Sequence, residues 1–224
     1  PVTIQNTGTA ALNITAVDTA LAPFSLSGGS CGTAPFVVPI AGSCTLDYEF
    51  TPTVTGLVTQ NLQVSSDGLS GPQTFELRGT GVEPVVSLSA PSIDFGAIQV
   101  NTTSAPMTLT LTNTGSADLT VSAITTPTAP FTHLVGTCMP MPFVLAPAAS
   151  CDLAYEFSPS SVNIFSETID ISSDASSSPD SFQLMGQGGD AGIVLSSNLL
   201  DLGATPLGGA NDALLNISNT GTVD

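Results

Sequence analysis

Hydrophobic and polar residues alternate along several short segments of this chain. The clearest segment, residues 44–50, places four apolar residues at one parity: Cys44, Leu46, Tyr48 and Phe50. Residues 151–157 repeat that arrangement with Cys151, Leu153, Tyr155 and Phe157. Period-2 alternation gives a strand one buried and one wet face, which is typical of an antiparallel sheet. Because 17 Pro and 21 Gly separate such segments and no helical period is sustained, the pattern predicts an all-β chain.

The pattern recurs along the chain with a period of about 107 residues. The triplet Asn6-Thr7-Gly8 returns as Asn113-Thr114-Gly115 and again as Asn219-Thr220-Gly221. The same offset matches further pairs: Phe24 with Phe131, Phe75 with Phe182, Gly79 with Gly186, and Asp94 with Asp201. This period is too long for a solenoid turn and is the size of one two-sheet sandwich of ~100 residues.

The repeat predicts three pieces, arranged as beads on a string. Residues 1–84 form a sandwich that lacks about 22 opening residues by subtraction from the repeat length. Residues 85–189 form a complete sandwich of seven or so strands. Residues 190–224 supply the opening strands of a third unit. Since the sequence opens at Pro1 and stops inside a repeated motif, we interpret it as a piece of a longer protein.

The balance of charges determines which partners we expect. Only 8% of the residues are charged, and 18 Asp and Glu face a single cation, Arg78, for a net charge of −17. Nucleic acids and anionic membrane surfaces are bound through Lys and Arg, so neither is expected as a partner. No apolar run reaches the ~18–20 residues of a membrane-spanning helix. The expected partners are copies of the chain itself, neighbouring repeat domains, or a ligand on a cell surface.

Four segments carry a resemblance to a known family: Asp94-Phe95-Gly96, Asn113-Thr114-Gly115, Tyr155-Glu156-Phe157-Ser158-Pro159 and Gly186-Gln187-Gly188. The chain resembles the Hydin-type, or abnormal-spindle-type, immunoglobulin-like domain, which is related in fold to the major sperm protein domain. In bacteria, similar units occur in tandem in secreted surface proteins known as choice-of-anchor-D proteins. The resemblance implies tandem immunoglobulin-like antiparallel β-sandwiches with scaffolding or interaction roles and no catalytic residues. The chain departs from the family where Val100-Asn101-Thr102-Thr103 stands in place of the usual glycine.

The four cysteines occur at matched places in the two repeats. Cys31 and Cys44 are 13 residues apart, and Cys138 and Cys151 have the same spacing. A disulfide within each repeat is the only pairing that treats both copies alike. Metal binding is the alternative, but it requires closer spacings or more histidine than the single His133. Disulfides predict an oxidising compartment, either extracellular or at the cell surface.

Two further residue patterns resemble catalytic arrangements. The segment Gly28-Gly29-Ser30-Cys31-Gly32 satisfies the G-x-S-x-G pattern of a hydrolase nucleophile, but the second repeat lacks it and the only His follows in another domain. Glu49 and Glu156 recur one repeat apart, so they cannot form an acid–base pair within one unit. We expect no catalytic, cofactor-binding or metal site, and the chain is not expected to be an enzyme.

Two kinds of polar position stay open as alternatives. Asp67 and Asp174 follow strands at matched turns, where Ca²⁺ binding is the alternative to a structural role. Asn13, Asn101 and Asn216 begin N-x-S/T sequons and are candidate glycosylation sites. His133 matches Leu26 of the first repeat, which favours a packed histidine over a ligand or a general base.

Tandem domains of equal size with internal disulfides favour a structural role. The predicted function is a repeat segment of an exported bacterial surface protein that forms a stalk, fibre or filament. A sharper hypothesis is that residues 191–224 of one chain complete the first sandwich of the next, so that chains polymerise head to tail. The simpler explanation is a longer repeat protein cut in an arbitrary frame. The alternative function is an adhesin or binding module for a carbohydrate or protein, although the chain has no Trp and only two Tyr.

Overall fold

The computed structural model describes residues 1–223, which contain strands, turns and irregular segments. The chain divides into two compact units, Pro1–Glu83 and Pro84–Asp224. Every element of secondary structure named in the described range is a strand, so the prediction of an all-β chain is confirmed. In residues 1–223 no helix has the length and apolar character needed to cross a membrane.

The first unit is a sandwich of two antiparallel sheets. Its strands are β1 (Val2–Gln5), β2 (Leu12–Val17), β3 (Phe24–Gly28), β4 (Phe36–Val38), β5 (Ser43–Phe50), β6 (Gly56–Ser66) and β7 (Gln73–Gly81). One sheet has the order β1-β5-β3, and the other has the order β4-β2-β6-β7. β6 and β7 form a long hairpin in which Leu62 lies opposite Phe75.

The second unit repeats this sandwich and adds two strands before it. Its strands are β8 (Val86–Leu88), β9 (Ser92–Gln99), β10 (Met107–Asn113), β11 (Leu119–Ile124), β12 (Phe131–Leu134), β13 (Phe143–Leu145), β14 (Ser150–Phe157), β15 (Ile164–Ser173) and β16 (Asp180–Gly189). One sheet has the order β12-β14-β10-β8, and the other has the order β13-β11-β15-β16-β9. The pairing of β9 with β16 is parallel, whereas the other pairings in these sheets are antiparallel.

A short hairpin follows the second sandwich. It consists of β17 (Ile193–Leu195) and β18 (Ile217–Asn219), and Ile193 lies opposite Asn219. The backbone N–H of Thr222 donates to the carbonyl oxygen of Asp190 at 2.8 Å, which fixes the end of this hairpin near the end of β16. Residues 196–216 contain no strand.

The period-2 pattern of the sequence corresponds to the burial seen in β14. Its four apolar residues, Cys151, Leu153, Tyr155 and Phe157, are all buried, and the residues between them are partly exposed. They belong to one continuous core that also contains Phe95, Phe131 and Phe182. Burial of apolar area at roughly 25 cal/mol per Å² makes this continuous core the main stabilising contribution in the second unit.

The buried asparagine of the repeated Asn-Thr-Gly motif joins three backbone segments. The Nδ2 of Asn113 donates to the carbonyl oxygens of Ala117 and Leu145, at 2.8 and 2.9 Å. Its Oδ1 accepts a hydrogen bond from the backbone N–H of Gly115 at 2.9 Å. Asn6 is buried in the same way in the first unit and bonds the matched carbonyl groups. The motif therefore holds a turn to a neighbouring strand in each sandwich.

Three backbone positions explain further features of the repeat. A Cβ atom on Gly186 would lie 2.8 Å from the Phe157 ring, and one on Gly79 would lie 2.7 Å from the Phe50 ring. Glycine is therefore required where β16 crosses Phe157 and where β7 crosses Phe50. Asn101 has a φ of 64° and takes the left-handed conformation, which Asn tolerates better than most residues.

Candidate functional site

The opening segment of the second unit closes both sheets of its sandwich. β8 pairs with β10 in one sheet, and β9 lies along β16 in the other. In the β9 pairing, Ile93 neighbours Leu184 and Asp94 neighbours Met185. Because β15 occupies the other side of β16, both edges of β16 are paired.

Phe95 is the residue through which β9 enters the core. Its ring stacks on the Phe157 ring at a centroid distance of 5.7 Å, and the Phe131 ring lies 6.1 Å away. Ile93 is buried on the same side of the strand. Aromatic pairs at such distances contribute ~0.5–1.5 kcal/mol beyond their buried area, so β9 supplies both backbone pairing and core packing.

The first unit has no counterpart of β8 and β9 within residues 1–83. β7, which matches β16, pairs with β6 on one side and forms the edge of its sheet. β1, which matches β10, is likewise an edge strand. An edge strand presents N–H and C=O groups that are available to another chain. We call β7 (Gln73–Gly81) the open edge.

Core positions beside these edges are less buried than their counterparts. Ile4 and Phe75 are half-buried in the first unit, whereas the matched Leu111 and Phe182 are buried in the second. The first core also separates into two clusters, one formed by Ile14, Val38 and Val64 and the other by Phe24, Leu62 and Leu77. The buried core of the first unit is therefore less continuous than that of the second.

A groove of about 310 Å³ lies between the two sheets of the first unit. Ile4 lines it from β1, and Ile14, Val64 and Phe75 line it from the facing sheet. Gln73, at the start of the open edge, is among its polar lining residues. Binding grooves are mainly apolar with a few polar groups, so the groove and the open edge together form the candidate site of this chain.

The segment after β17 corresponds to β9 in the repeat, sharing its Asp, Gly and Ala, but forms no strand. Leu200 and Leu202 match Ile93 and Phe95, and they are 43% and 49% exposed. The hairpin of β17 and β18 repeats the pairing of β8 with β10. The tail therefore presents the same apolar pattern that closes the second sandwich.

The single cation among the Lys and Arg positions lies on the open edge. Arg78 is an exposed residue of β7 and matches Met185 of β16. Met185 neighbours Asp94 in the second unit, and the counterpart of Asp94 in the tail is Asp201. In a chain with a net charge of −17, a cation at this place distinguishes the open edge from the remaining surface.

Each sandwich contains one disulfide bond. The bonds join Cys31 to Cys44 and Cys138 to Cys151, which are the pairs that the repeat predicted. Each bond attaches the segment after an edge strand to the central strand of the smaller sheet, β5 or β14. Two disulfides are typical of an oxidising, extracellular environment.

Tyr155 and His133 form a polar pair within the second sandwich. They lie opposite each other on β14 and β12, with ring centroids 5.0 Å apart. Within residues 1–223, neither the Tyr155 hydroxyl nor the His133 Nε2 has a hydrogen-bond partner. Burial raises the pKa of Tyr155 and lowers the pKa of His133. Leu26 occupies the matched position in the first unit, so the pair belongs to the second unit alone.

The turn carboxylates hold strand ends together. Asp67 accepts hydrogen bonds from the backbone N–H and the side-chain amide of Asn13, and the side-chain bond lowers the pKa of Asp67. Asp174 accepts from the backbone N–H of Thr120 at 2.8 Å. Nowhere in residues 1–223 do three His, Cys, Asp or Glu side chains gather to hold a metal ion. The geometry thus gives Asp67 and Asp174 a structural use.

The remaining predicted positions lie at the surface. Asn13, Asn101 and Asn216 are exposed, and their glycosylation stays a prediction. Ser30, the centre of the nucleophile-like pattern, is also exposed, and its Oγ accepts a hydrogen bond from the backbone N–H of Thr45 at 2.9 Å. Ser30 therefore helps to attach a loop to β5.

Taken together, the sheets, the internal disulfides and the repeated motifs define a class: immunoglobulin-like β-sandwich modules. A family model described as the HYDIN/CFA65/VesB-like, Ig-like domain matches residues 1–80 and 84–187. The chain belongs to this family. The match confirms the resemblance inferred from the repeated motifs.

Several solved structures are similar to this chain at low sequence identity. A protein of unknown function from Porphyromonas gingivalis W83 is 17% identical, with 82% of this chain and 87% of that chain covered and a TM-score of 0.40. The VesB protease of Vibrio cholerae is 15% identical, with 46% and 31% covered and a TM-score of 0.40. The seventh ASH/PapD-like domain of human CEP192 is 19% identical, with 48% and 87% covered and a TM-score of 0.37. A comparison with curated proteins finds no match.

Sequence reasoning did not recognise Arg78 as part of a site. The repeat carried a usable signal, because Arg78 matches Met185 and Asp201 matches Asp94. The sequence does not show that β9 pairs in parallel with β16, which places Asp94 beside Met185. Alternation predicts which residues face inward but does not identify the neighbouring strand.

Proposed function

We propose that this chain is a structural repeat segment of an exported bacterial surface protein, in which tandem domains form a stalk, fibre or filament. The observation that carries the proposal is one sandwich plan built twice, with a disulfide at the same place in each copy. Cross-linked β-sandwiches suit an exposed, load-transmitting spacer because their unfolded chains are restricted by the disulfide. In this proposal the chain has no catalytic role.

The composition supports an exposed spacer. Charged residues make up 8% of the chain and are almost all acidic, which disfavours adhesion to nucleic acid and anionic lipid. Membership of the Ig-like family supports a structural or binding module. The two disulfides support export to an oxidising compartment.

Strand addition is the proposed route of assembly between chains. The open edge and the groove beside it would receive strands from the tail of another chain, in the manner of known strand-addition complexes. Deletion of residues 193–224 removes the donor strands while leaving both sandwiches. We expect the shortened chain to lose head-to-tail assembly, and polymers that persist in it would eliminate this route.

Negative-stain electron microscopy of the purified chain, with mass from light scattering, tests the structural proposal. Filaments whose axial repeat equals one or two sandwich domains would support a polymer-forming protein. Uniform particles of monomeric mass would support a stalk segment. Heterogeneous aggregates without a regular repeat, in a chain whose disulfides are formed, would contradict both forms of the proposal.

The alternative function is an adhesin or binding module. The observation that favours it is a second hollow in the first unit, about 280 Å³ in volume, lined by Tyr48 with Asp18 and Thr19. Apolar and aromatic side chains with a few polar groups are the usual lining of a small-molecule pocket. A glycan-binding screen of the full chain, with Tyr48→Ala as the comparison, separates the two functions. Binding that depends on Tyr48 would favour the adhesin.

A further inference from the structure

We infer that the hollow beside Tyr48 in the first unit binds a small organic ammonium ion. The inference rests on the alternative function, in which this hollow is a binding site, and it names the chemical class of the ligand. Three features carry it: small loop residues that leave the hollow open, a carboxylate in its wall, and a tyrosine ring beside that carboxylate.

The hollow lies within residues 17–48, away from the edges that β8 and β9 cover in the second unit. β8 and β9 pair with β10 and β16, which match β1 and β7 of the first unit. The wall of the hollow comes instead from the end of β2, from β3 and β5, and from the loop between β3 and β4. Among the described residues, none of β1 or β7 lines it, so its shape does not depend on strands at those edges.

A loop of small residues leaves the hollow open. The second unit carries bulkier residues at the same places, where Gly32, Thr33 and Ala34 match Met139, Pro140 and Met141. Met141 packs against the core of the second unit, whereas Ala34 is exposed. Because interiors are close-packed, an alanine leaves unfilled the space that a methionine side chain would occupy. The two sandwiches therefore share a plan, and the loop of the first unit leaves room for a ligand.

Tyr48 supplies an aromatic ring to this wall. In the second unit, the His133 ring lies against the matched Tyr155, with centroids 5.0 Å apart. The first unit has Leu26 in place of that histidine, and Leu26 also lines the hollow and is 46% exposed. The face of an aromatic ring is electronegative and attracts a cation within about 6 Å. A cation in the hollow would therefore be attracted to Tyr48.

Asp18 gives the hollow a negative charge that the second unit lacks. Its Oδ2 accepts a hydrogen bond from the backbone N–H of Gln63 at 2.9 Å, which holds the carboxylate at the end of β2. The matched Thr125 accepts the same bond from Asp170 at 3.3 Å, so a neutral hydroxyl is sufficient to join the strands. Arg78, the single Lys or Arg of the chain, lies outside the hollow. The hollow therefore favours a positively charged ligand and disfavours an anion.

The size and lining of the hollow indicate a compact organic cation. Its volume of about 280 Å³ suits a small molecule. Val17, Ala20 and Leu46 offer apolar contacts to methyl or methylene groups, while the carboxylate and the ring attract the charge. A neutral sugar would cover the Asp18 carboxylate without supplying an opposite charge, which is unfavourable. The lining therefore favours an ammonium ion over a neutral ligand.

Choline is the probe, and 3,3-dimethyl-1-butanol is its neutral counterpart of the same shape. Titration of the full, isotopically labelled chain by ¹H–¹⁵N NMR locates binding through the backbone signals of Gly32, Thr33 and Ala34. We expect saturable shifts with choline at these residues. The neutral compound should bind about tenfold more weakly, because it loses the attraction to both the carboxylate and the ring.

Three variants test the roles of the wall residues, and the same spectra show that each variant is folded. Asp18→Asn keeps an acceptor for Gln63 but removes the charge, so it should weaken choline binding about fivefold and leave the neutral compound unaffected. Glu76→Gln is the matched control, since it removes an exposed charge from β7 and should bind choline like the unchanged chain. Ala34→Met introduces the residue of the second unit and should abolish the binding of both compounds.

The outcomes separate this inference from the alternative function on which it rests. Loss of binding in Ala34→Met, with partial loss in Asp18→Asn, supports the ammonium site. Equal affinity for choline and its neutral counterpart would overturn it, because the hollow would then be an apolar pocket. Shifts at the same residues with glucose but not with choline would also overturn it and would leave a carbohydrate-binding module. The absence of shifts with all three compounds would overturn both the inference and the use of the hollow as a binding site.

Discussion

Tyr48 and Tyr155 occupy matched positions on the central strands β5 and β14, yet Tyr48 is half-buried and Tyr155 is fully buried. Phe50 and Phe157, two residues further along, differ in the same way. The two strands have nearly the same sequence, so the difference arises elsewhere. For Phe157 it arises from β9, whose Phe95 ring stacks on Phe157 and which has no counterpart in residues 1–83. Tyr48 instead lines a hollow beside β2 and β3, whereas Tyr155 packs against His133 and Phe182.

This comparison shows that the alternation within a strand predicts the direction of a side chain but not whether that side chain is buried. Alternation turns a side chain toward the space between the sheets, and a strand distant in sequence decides whether that space is closed. The first unit buries fewer apolar side chains and keeps two separate clusters in place of one core. Since net stabilities amount to about 5–15 kcal/mol, we expect the first unit to unfold before the second.

The largest expected effect comes from removing the aromatic residue that β9 inserts. Phe95→Ala should lower the free energy of unfolding of the second unit by about 3–5 kcal/mol, because it leaves a cavity beside the Phe157 ring. The chain has two Tyr and no Trp. In a Tyr48→Phe background, Tyr155 fluorescence during urea unfolding therefore reports on the second unit alone.

Leu202→Ala is the matched control, because Leu202 is the tail counterpart of Phe95 and is 49% exposed. It should change the unfolding of the second unit by less than about 0.5 kcal/mol. A Phe95→Ala chain whose midpoint equals that of the control would show that β9 does not account for the difference between the two sandwiches.

The two disulfides should have similar effects on free energy but different consequences. In the chain-entropy model, a loop of this size stabilises the folded unit by about 3 kcal/mol. Replacement of Cys31 and Cys44 by Ser should unfold the first unit at a temperature where the second stays folded. Replacement of Cys138 and Cys151 should instead bring the two transitions closer together. Differential scanning calorimetry of the full chain resolves the two transitions, and an unchanged order and spacing in both variants would contradict the expected difference in stability.

The sequence predicted the features that depend on local pattern or on comparison of the two repeats, and it did not predict which distant strands pair. Alternation in residues 151–157 predicted a buried strand face, and the repeat predicted the disulfide pairs, because both depend on local parity or on internal comparison. The family resemblance from the Asn-Thr-Gly and Gly-x-Gly motifs is confirmed. Close packing explains why these motifs are visible, since Gly186 has no room for a Cβ atom and the Asn113 side chain has four backbone partners.

The parallel strand could not be predicted in this way. Nothing in the parity of Ile93 and Phe95 indicates whether β9 pairs with the first or the last strand of its unit, because both choices bury the same residues. The expected seven or so strands became nine in Val86–Gly189, since the opening segment forms two strands, β8 and β9, in different sheets. The candidate site depends on that pairing, so its geometry became visible only in the structure.

Substitution of the asparagine in each Asn-Thr-Gly motif should have a smaller effect on the free energy of unfolding, and the three copies of the motif can be compared with one another. Asn113→Ala should destabilise the second unit by about 1–3 kcal/mol, because it leaves buried carbonyl groups without their donor. Asn6→Ala should act similarly on the first unit. Asn219→Ala in the tail should have almost no effect on either transition, since Asn219 is exposed. Urea unfolding followed by Tyr fluorescence measures each unit separately: Tyr155 reports on the second unit in a Tyr48→Phe background, and Tyr48 reports on the first in a Tyr155→Phe background. An equal effect at all three positions would contradict the importance of burial.

The smallest effect concerns pH and the one titratable difference between the matched edge strands β3 and β12. Burial lowers the pKa of His133 below its ordinary value of 6.5. As the pH falls below about 6.5, the unfolded chain therefore takes up a proton before the folded chain does. The free energy of unfolding of the second unit should decrease through that window and should be unaffected above it. His133→Leu should remove this part of the pH dependence while leaving the unit nearly unchanged at pH 8.

Leu26→His places the same residue at the matched position of the first unit. Because Leu26 is 46% exposed, a histidine there keeps most of its hydration, and its pKa should stay closer to the ordinary value. The first unit should then show a weaker pH dependence than His133 gives the second, measured as urea midpoints between pH 5 and pH 8. If both histidines produced the same dependence, the edge strands of the two sandwiches would be equally covered. The influence of β9 would then be restricted to its immediate neighbours in the core.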